Sequence, residues 1–185
     1  MVHVGGRPEG APSAAGVDPE QQAPIVTRNE HRCRVTGVCY RAVDSDHRTS
    51  ALDGSRLPGR YSAAGQPTLY LSSSPEGVAA AVAAHGGMRE NLTVLRFSVD
   101  ADDIVDLRDP AALTASGVNL DDALAPWQDV VAAGAEPRSW TVRRQLEDLG
   151  ALGLIDPSRT RPGLWHLVLF RWNTKGTARV VPLQP

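Results

Sequence analysis

Apolar positions along this chain come in short runs separated by glycine, proline and acidic clusters, a pattern of many brief elements. Val35, Val38, Tyr40 and Val43 predict a first strand with Tyr40-Arg41 at its centre. Residues 44–60 hold Asp44, Asp46, Asp53, Gly54, Pro58 and Gly59, which is loop chemistry. From Thr68 to Ser73 the pattern alternates, Leu69 and Leu71 facing one way and Thr68, Tyr70 and Ser72 the other. Ser74-Pro75-Glu76 then opens a helix, with an N-cap serine, proline at the first helical position and an acid in the first turn. That alanine-rich helix is expected to stop near His85, at Gly86-Gly87. Leu92 to Val99 reads as a strand, and Ile104, Val105 and Leu107 as another, separate one. A turn and short helix follow from Asp109-Pro110, and a second good helix from Ser139 to Leu149. Leu152–Ile155 and Leu167–Phe170 read as strands on either side of an Asp156-Pro157-Ser158 turn, with Val180-Val181 as a last edge strand.

Strands and helices mixed without regular β-α alternation predict an α+β fold: a single domain with a mixed β-sheet core and flanking helices. At 185 residues the chain has length for one domain with a real core. Residues 1–30 show no apolar periodicity and are read as a disordered leader, leaving residues 31–185 as the folded domain.

A formal net charge of −2 argues against a dedicated nucleic-acid binder, so no direct nucleic-acid binding is expected. Cys33 and Cys39 are six apart, and no Cys/His cluster accompanies them that would make a zinc site. Reduced thiols in a cytoplasmic protein are the expectation, with no metal. The apolar runs fall well short of the ~20 residues of a membrane span, and the N-terminus does not read as a secretory signal.

The richest stretch runs from Gly59 to Glu76. It packs an Arg-aromatic pair, Arg60-Tyr61, a strand ending in Tyr70 and serines, and a helix start into eighteen residues. Backbone turns, a guanidinium and an aromatic ring together suit an anionic ligand that carries rings. Arg41 and Arg60 can each bind phosphate oxygens bidentately and stay charged when partly desolvated. Tyr70 lies on the polar face of its strand, where it can stack or donate its hydroxyl, or serve as an ordinary half-buried tyrosine. Tyr61 offers an aromatic platform or simple packing. Ser158 follows Asp156-Pro157 in a turn, where a serine either bonds its own backbone or orients a ligand. No Ser-His-Asp arrangement surrounds it, so it is not read as a hydrolase nucleophile.

Taken in order, these segments resemble the RES domain, the toxin half of RES–Xre toxin–antitoxin pairs. The matching pieces are Tyr40-Arg41, Gly59-Arg60-Tyr61 with Gly65, Leu69-Tyr70-Leu71 with Ser74-Pro75-Glu76, and Val105-Asp106-Leu107. Trp127, Trp140, Gly153 through Ser158, and Leu167 through Phe170 complete the series, which spans roughly residues 35–172. The resemblance implies a fold similar to ADP-ribosyltransferase toxins and an enzyme that consumes NAD, its substrate, by cleaving the nicotinamide–ribose bond. It implies catalytic roles for Arg41, Tyr70 and Ser158, and NAD contacts from Tyr40, Arg41, Arg60, Tyr61, Tyr70 and Ser158. An Xre-type antitoxin is the implied protein partner, and a homo-oligomer is compatible with it.

One position departs from the pattern. The family's glutamate, eleven residues beyond the tyrosine, is here Ala81. Cleaving an N-glycosidic bond builds positive charge on the ribose, which a nearby carboxylate stabilises. Glu76 is rotated about 140° from position 81 on an ideal helix, while His85 shares its face and Glu90 lies past the glycine pair. Three readings therefore stand: an NAD glycohydrolase or phosphorylase, an ADP-ribosyl transferase or specialised enzyme with altered acid chemistry, or a non-catalytic NAD- or partner-binding fold.

Overall fold

The computed structural model describes residues 22–84 and 91–184. His85, the Gly86-Gly87 stop and Glu90 lie outside the described residues. Seven strands form one mixed sheet: β1 Ile25–Asn29, β2 Arg32–Asp44, β3 Leu69–Ser72, β4 Leu92–Asp106, β5 Gly153–Pro157, β6 Trp165–Leu169 and β7 Arg179–Pro182. Their order is β1-β2-β3-β6-β5-β4-β7, and β2 also pairs along its length with β4. Five strands, β2-β3-β6-β5-β4, therefore close into a ring. Its loosest seam is between β2 and β3, where Tyr40 opposite Ser72 is the paired position among the described residues.

The ring encloses one apolar cluster that includes Val35, Cys39, Leu71, Phe97, Ile155 and Leu167. The alternation read for β3 holds, since Leu69 and Leu71 turn into this core while Tyr70 packs against a second cluster on the other face. That second cluster lies under the helices: Val105, Leu154 and Val168 of the sheet meet Ala112 of α2 (Pro110–Ser116), Ala123 of α3 (Leu120–Leu124), and Val142 and Leu146 of α5 (Arg138–Asp148). Two further helices are α1, Pro75–Ala83, capped by Ser74 accepting from the Gly77 amide at 3.2 Å, and α4, Gln128–Ala132. Trp165 packs into the ring core, and Trp172 donates from Nε1 to the Leu52 carbonyl at 2.9 Å.

Two boundaries differ from the sequence expectation. The sheet begins inside the segment read as a leader: β1 turns through Glu30, at φ 51°, and pairs with β2 from Asn29 opposite Arg32 to Ile25 opposite Thr36. β1 is mostly exposed, so it never shows the alternation of a half-buried strand. The expected strands at Leu92–Val99 and Ile104–Leu107 are one continuous β4, bent at Asp103, where φ is 55°. The intervening aspartates resemble turn punctuation. Instead Asp100 accepts a bidentate pair from Arg34 of β2, at 2.8 and 2.7 Å. β7 occupies the outer edge of β4 at Phe97–Asp100, and β5 takes over in parallel from Ile104.

Cys33 and Cys39 are free thiols buried in the core, each pushed up to about 12, chiefly by burial. Among the described residues no helix is long and apolar enough to cross a membrane.

Candidate active site

Strand register builds the floor of the site. Tyr40 on β2, Ser72 on β3, His166 on β6 and Asp156 on β5 stand directly opposite one another in a row across four strands. Residues opposed in this way project to the same face of a sheet. All four line one cavity of about 530 Å³, a size suited to a small-molecule ligand. Arg41, Arg60, Tyr70 and Ser158 line it too, as does Ala81 from α1. Of the six residues proposed from the sequence, five therefore line the cavity, Arg41 among them.

That count leaves out one. Tyr61 is a correction: it is fully buried in the cluster beneath the helices and does not line the cavity. A ring this deep is no ligand platform. Its hydroxyl donates to Asp156 Oδ1 at 2.9 Å, so its side chain touches the site through that carboxylate. Its phenol is held well above the ordinary value, first by burial and then by the neighbouring Asp156 charge.

The turn that carries Arg60 is fixed by three consecutive carbonyls, each accepting from a side chain of α5. Trp140 Nε1 donates to Gly59 at 2.9 Å, Ser139 Oγ to Arg60 at 2.5 Å, and Arg143 Nη1 to Tyr61 at 3.0 Å. From beneath, the Tyr70 hydroxyl accepts from the Tyr61 amide and exchanges a bond with Ser62 Oγ, both at 3.1 Å. Tyr70 thus offers its ring to the cavity while its hydroxyl holds the turn. Gly59 has no room for a side chain: a Cβ there would lie 2.6 Å from the Tyr70 oxygen and 2.9 Å from Ser62 Oγ. Gly59→Ala is expected to cost about 1–3 kcal/mol through overpacking, measured by urea denaturation, with a matching weakening of ligand binding.

Both arginines are held by carbonyls through a single nitrogen. Arg41 Nη1 donates to Ala51 at 2.5 Å, and Arg60 Nη1 donates to Ala125 at 2.8 Å and Ala123 at 3.3 Å. Burial lowers the pKa of both; for Arg60 the nearby Arg159 charge lowers it further. A guanidinium that has lost much of its water and keeps free donors is a strong receptor for phosphate or carboxylate. Ser158 behaves as a turn serine, its Oγ accepting from the Arg161 amide at 3.2 Å, but it still lines the cavity.

Three polar residues of the floor were not singled out from the sequence. His166 Nδ1 pairs with Ser72 Oγ at 3.0 Å, and burial lowers its pKa, which keeps the ring neutral near pH 7. Asp156 is pushed up to about 6 by burial, against the lowering effects of Tyr61, Arg60 and Arg159. The alternation of 154/156 and of 166/168 was the available signal, but only the register between β5 and β6 brings these side chains together. Glu76 is exposed in the first turn of α1, bonded to its own amide and to the Ser74 hydroxyl, and is not part of the cavity. Among the described residues no cluster of His, Cys, Asp and Glu could hold a metal ion.

Comparison with known proteins agrees with this architecture. No curated protein matches the chain. The crystal structure of the M. tuberculosis MbcT–MbcA toxin–antitoxin complex contains a similar chain, with a TM-score of 0.52 and 22% identity over 80% of this chain and 84% of that one. At that identity the likeness shows a shared α+β fold. The RES domain model matches residues 38–185, a span from β2 through β7 that includes every residue of the cavity described above. The chain belongs to the RES domain family.

Proposed function

We propose that this protein is an NAD-consuming enzyme that breaks the nicotinamide–ribose bond in the cavity between β2, β3, β5 and β6, and that it acts in the cytoplasm as the toxin of a toxin–antitoxin pair. One observation carries the reading: two partly desolvated guanidiniums, Arg41 and Arg60, share a single cavity with the rings of Tyr40, Tyr70 and Trp127. A dinucleotide needs both halves of that arrangement, cations for its pyrophosphate and flat faces for its bases. Membership of the RES family supports the substrate class, and the MbcT–MbcA complex, which pairs a toxin with an antitoxin, supports a protein partner. Ser158 and Tyr70 fit roles as orienting groups, because their side chains are already fixed by the turns they hold.

Incubation with NAD, with and without phosphate, followed by chromatography of all products is the test. Nicotinamide release is expected, accompanied by ADP-ribose if water is the acceptor or by its 1″-phosphate if phosphate is. A mass shift on a protein would mark transfer instead. Arg41→Ala is expected to lower kcat/KM by roughly ten- to a hundredfold, the worth of hydrogen bonds to a charged group. No nicotinamide above the background of an inactive variant, in either buffer, would overturn the proposal.

A further inference from the structure

We propose that Asp156 is the catalytic carboxylate of this cavity, placed to stabilise the ribose cation that forms as the nicotinamide–ribose bond breaks; this rests on the NAD reading above. Asp156 is the sole acidic residue among the described residues that line the cavity. Its two oxygens differ. Oδ1 accepts from the Tyr61 hydroxyl at 2.9 Å, while Oδ2 has no hydrogen-bond partner among the described residues. A carboxylate buried purely for structure would be expected to satisfy both oxygens, or to sit in an ion pair. Asp156, half-buried and open to the cavity, makes no ion pair within 4.0 Å among the described residues, whereas the fully buried Asp106 is bonded to both Arg28 and Arg108. Tyr61, itself immobilised in the core, fixes one edge of the carboxylate and leaves the other for a ligand.

The chemistry balances with these groups. The C1″–N bond breaks and its electron pair leaves with neutral nicotinamide, so the charge of the former pyridinium passes to C1″ and the ring oxygen of that ribose. Ionised Asp156 faces that charge. The oxygen of water then bonds to C1″, and the water proton passes to Asp156 and on to solvent. A group pushed up to about 6 is ionised at neutral pH yet basic enough to take that proton. The titratable and charged groups facing it are Arg60 and Tyr61 from the clamped turn, Tyr70 from β3, His166 from β6 and Arg159 from the turn after β5.

Steady-state kinetics on NAD across pH 5–8 tests the assignment. Asp156→Asn is expected to reduce kcat by about a hundred- to a thousandfold, with KM for NAD within about threefold of wild type. In the wild type kcat should rise through about pH 6. Tyr61→Phe removes a bond that lowers the carboxyl pKa, so its acid limb should move to higher pH. An Asp156→Asn protein with kcat within threefold of wild type overturns the assignment while leaving the NAD reading in place. If that variant does not fold, an acid limb that stays put in Tyr61→Phe overturns it. A wild type that releases no nicotinamide fails at the earlier step and overturns both.

Discussion

Replacing Arg143 by alanine is expected to destabilise the protein by about 3–5 kcal/mol, the cost of removing one partner from a buried charged network. Arg143 is only 3% exposed. Its guanidinium donates to the Tyr61 carbonyl at 3.0 Å, to Thr68 Oγ1 at 2.5 Å and to Glu147 at 3.1 Å, and it stacks 4.7 Å from the centre of the Phe170 ring. Truncation strands the Tyr61 carbonyl, leaves the Thr68 hydroxyl with only its bond to the Gln66 carbonyl, and opens a cavity beside Phe170. It also frees one of the three carbonyls that α5 uses to hold the Gly59–Tyr61 turn, so KM for the proposed substrate should rise along with the loss of stability. The control is its neighbour: Arg144 is exposed and pairs with exposed Glu136, and Arg144→Ala should change stability by less than about 1 kcal/mol. Urea denaturation of the two variants distinguishes them. Equal midpoints would remove Arg143 from the architecture proposed for the site.

The second large effect is a pH dependence with the opposite sign to that of most carboxylates. Asp156 titrates near 6 in the folded protein against 3.8 for an ordinary aspartate, because burial disfavours its charge. Below about pH 3 it is protonated in both states and costs nothing. As pH rises from about 4 to 6 the unfolded chain releases this proton and the folded chain holds it, so stability falls through that window. By pH 7 the loss is on the order of 2–3 kcal/mol. Asp156→Asn cannot ionise and keeps an oxygen for the Tyr61 hydroxyl. It should match the wild type at about pH 3 and exceed it by on the order of 2–3 kcal/mol at pH 7–8 in urea titrations. A gap between the two proteins that is constant from pH 4 to 8 would contradict a strained carboxylate. A variant both more stable and less active is the signature of a residue kept for chemistry at the expense of the fold.

How much of this was legible beforehand follows from how local each signal is. The start of α1 was readable because Ser74, Pro75 and Glu76 act on the backbone within one turn. So was the face of β3, whose period of two needs no partner. β1 was not, because an edge strand exposed on both sides carries no alternation, and α3 and α4, at five residues each, are too short for a helical period. The site was half legible. Arg41, Arg60, Tyr70 and Ser158, singled out by the order of motifs that resembles the RES domain, do line the cavity, but the sequence marks Asp156 as a turn residue beside Pro157 and β5 in fact runs through both. Tyr61 failed for the same reason in reverse: nothing in Arg60-Tyr61 tells which of the two side chains turns inward. Those assignments depend on register between segments some hundred residues apart.

That dependence reaches into how the protein is made. The row that floors the cavity joins residue 40 to residue 72, residue 72 to residue 166, and residue 166 to residue 156. A nascent chain that has emerged only as far as α5 has its arginines and tyrosines but no β6, and β3 has nothing to pair with along its far edge. Contacts this distant in sequence form late, because loop closure must be completed before they stabilise anything. Ribosome-bound fragments of the chain should therefore lack the cavity altogether, and whatever activity the cavity houses would arise only when synthesis is nearly finished.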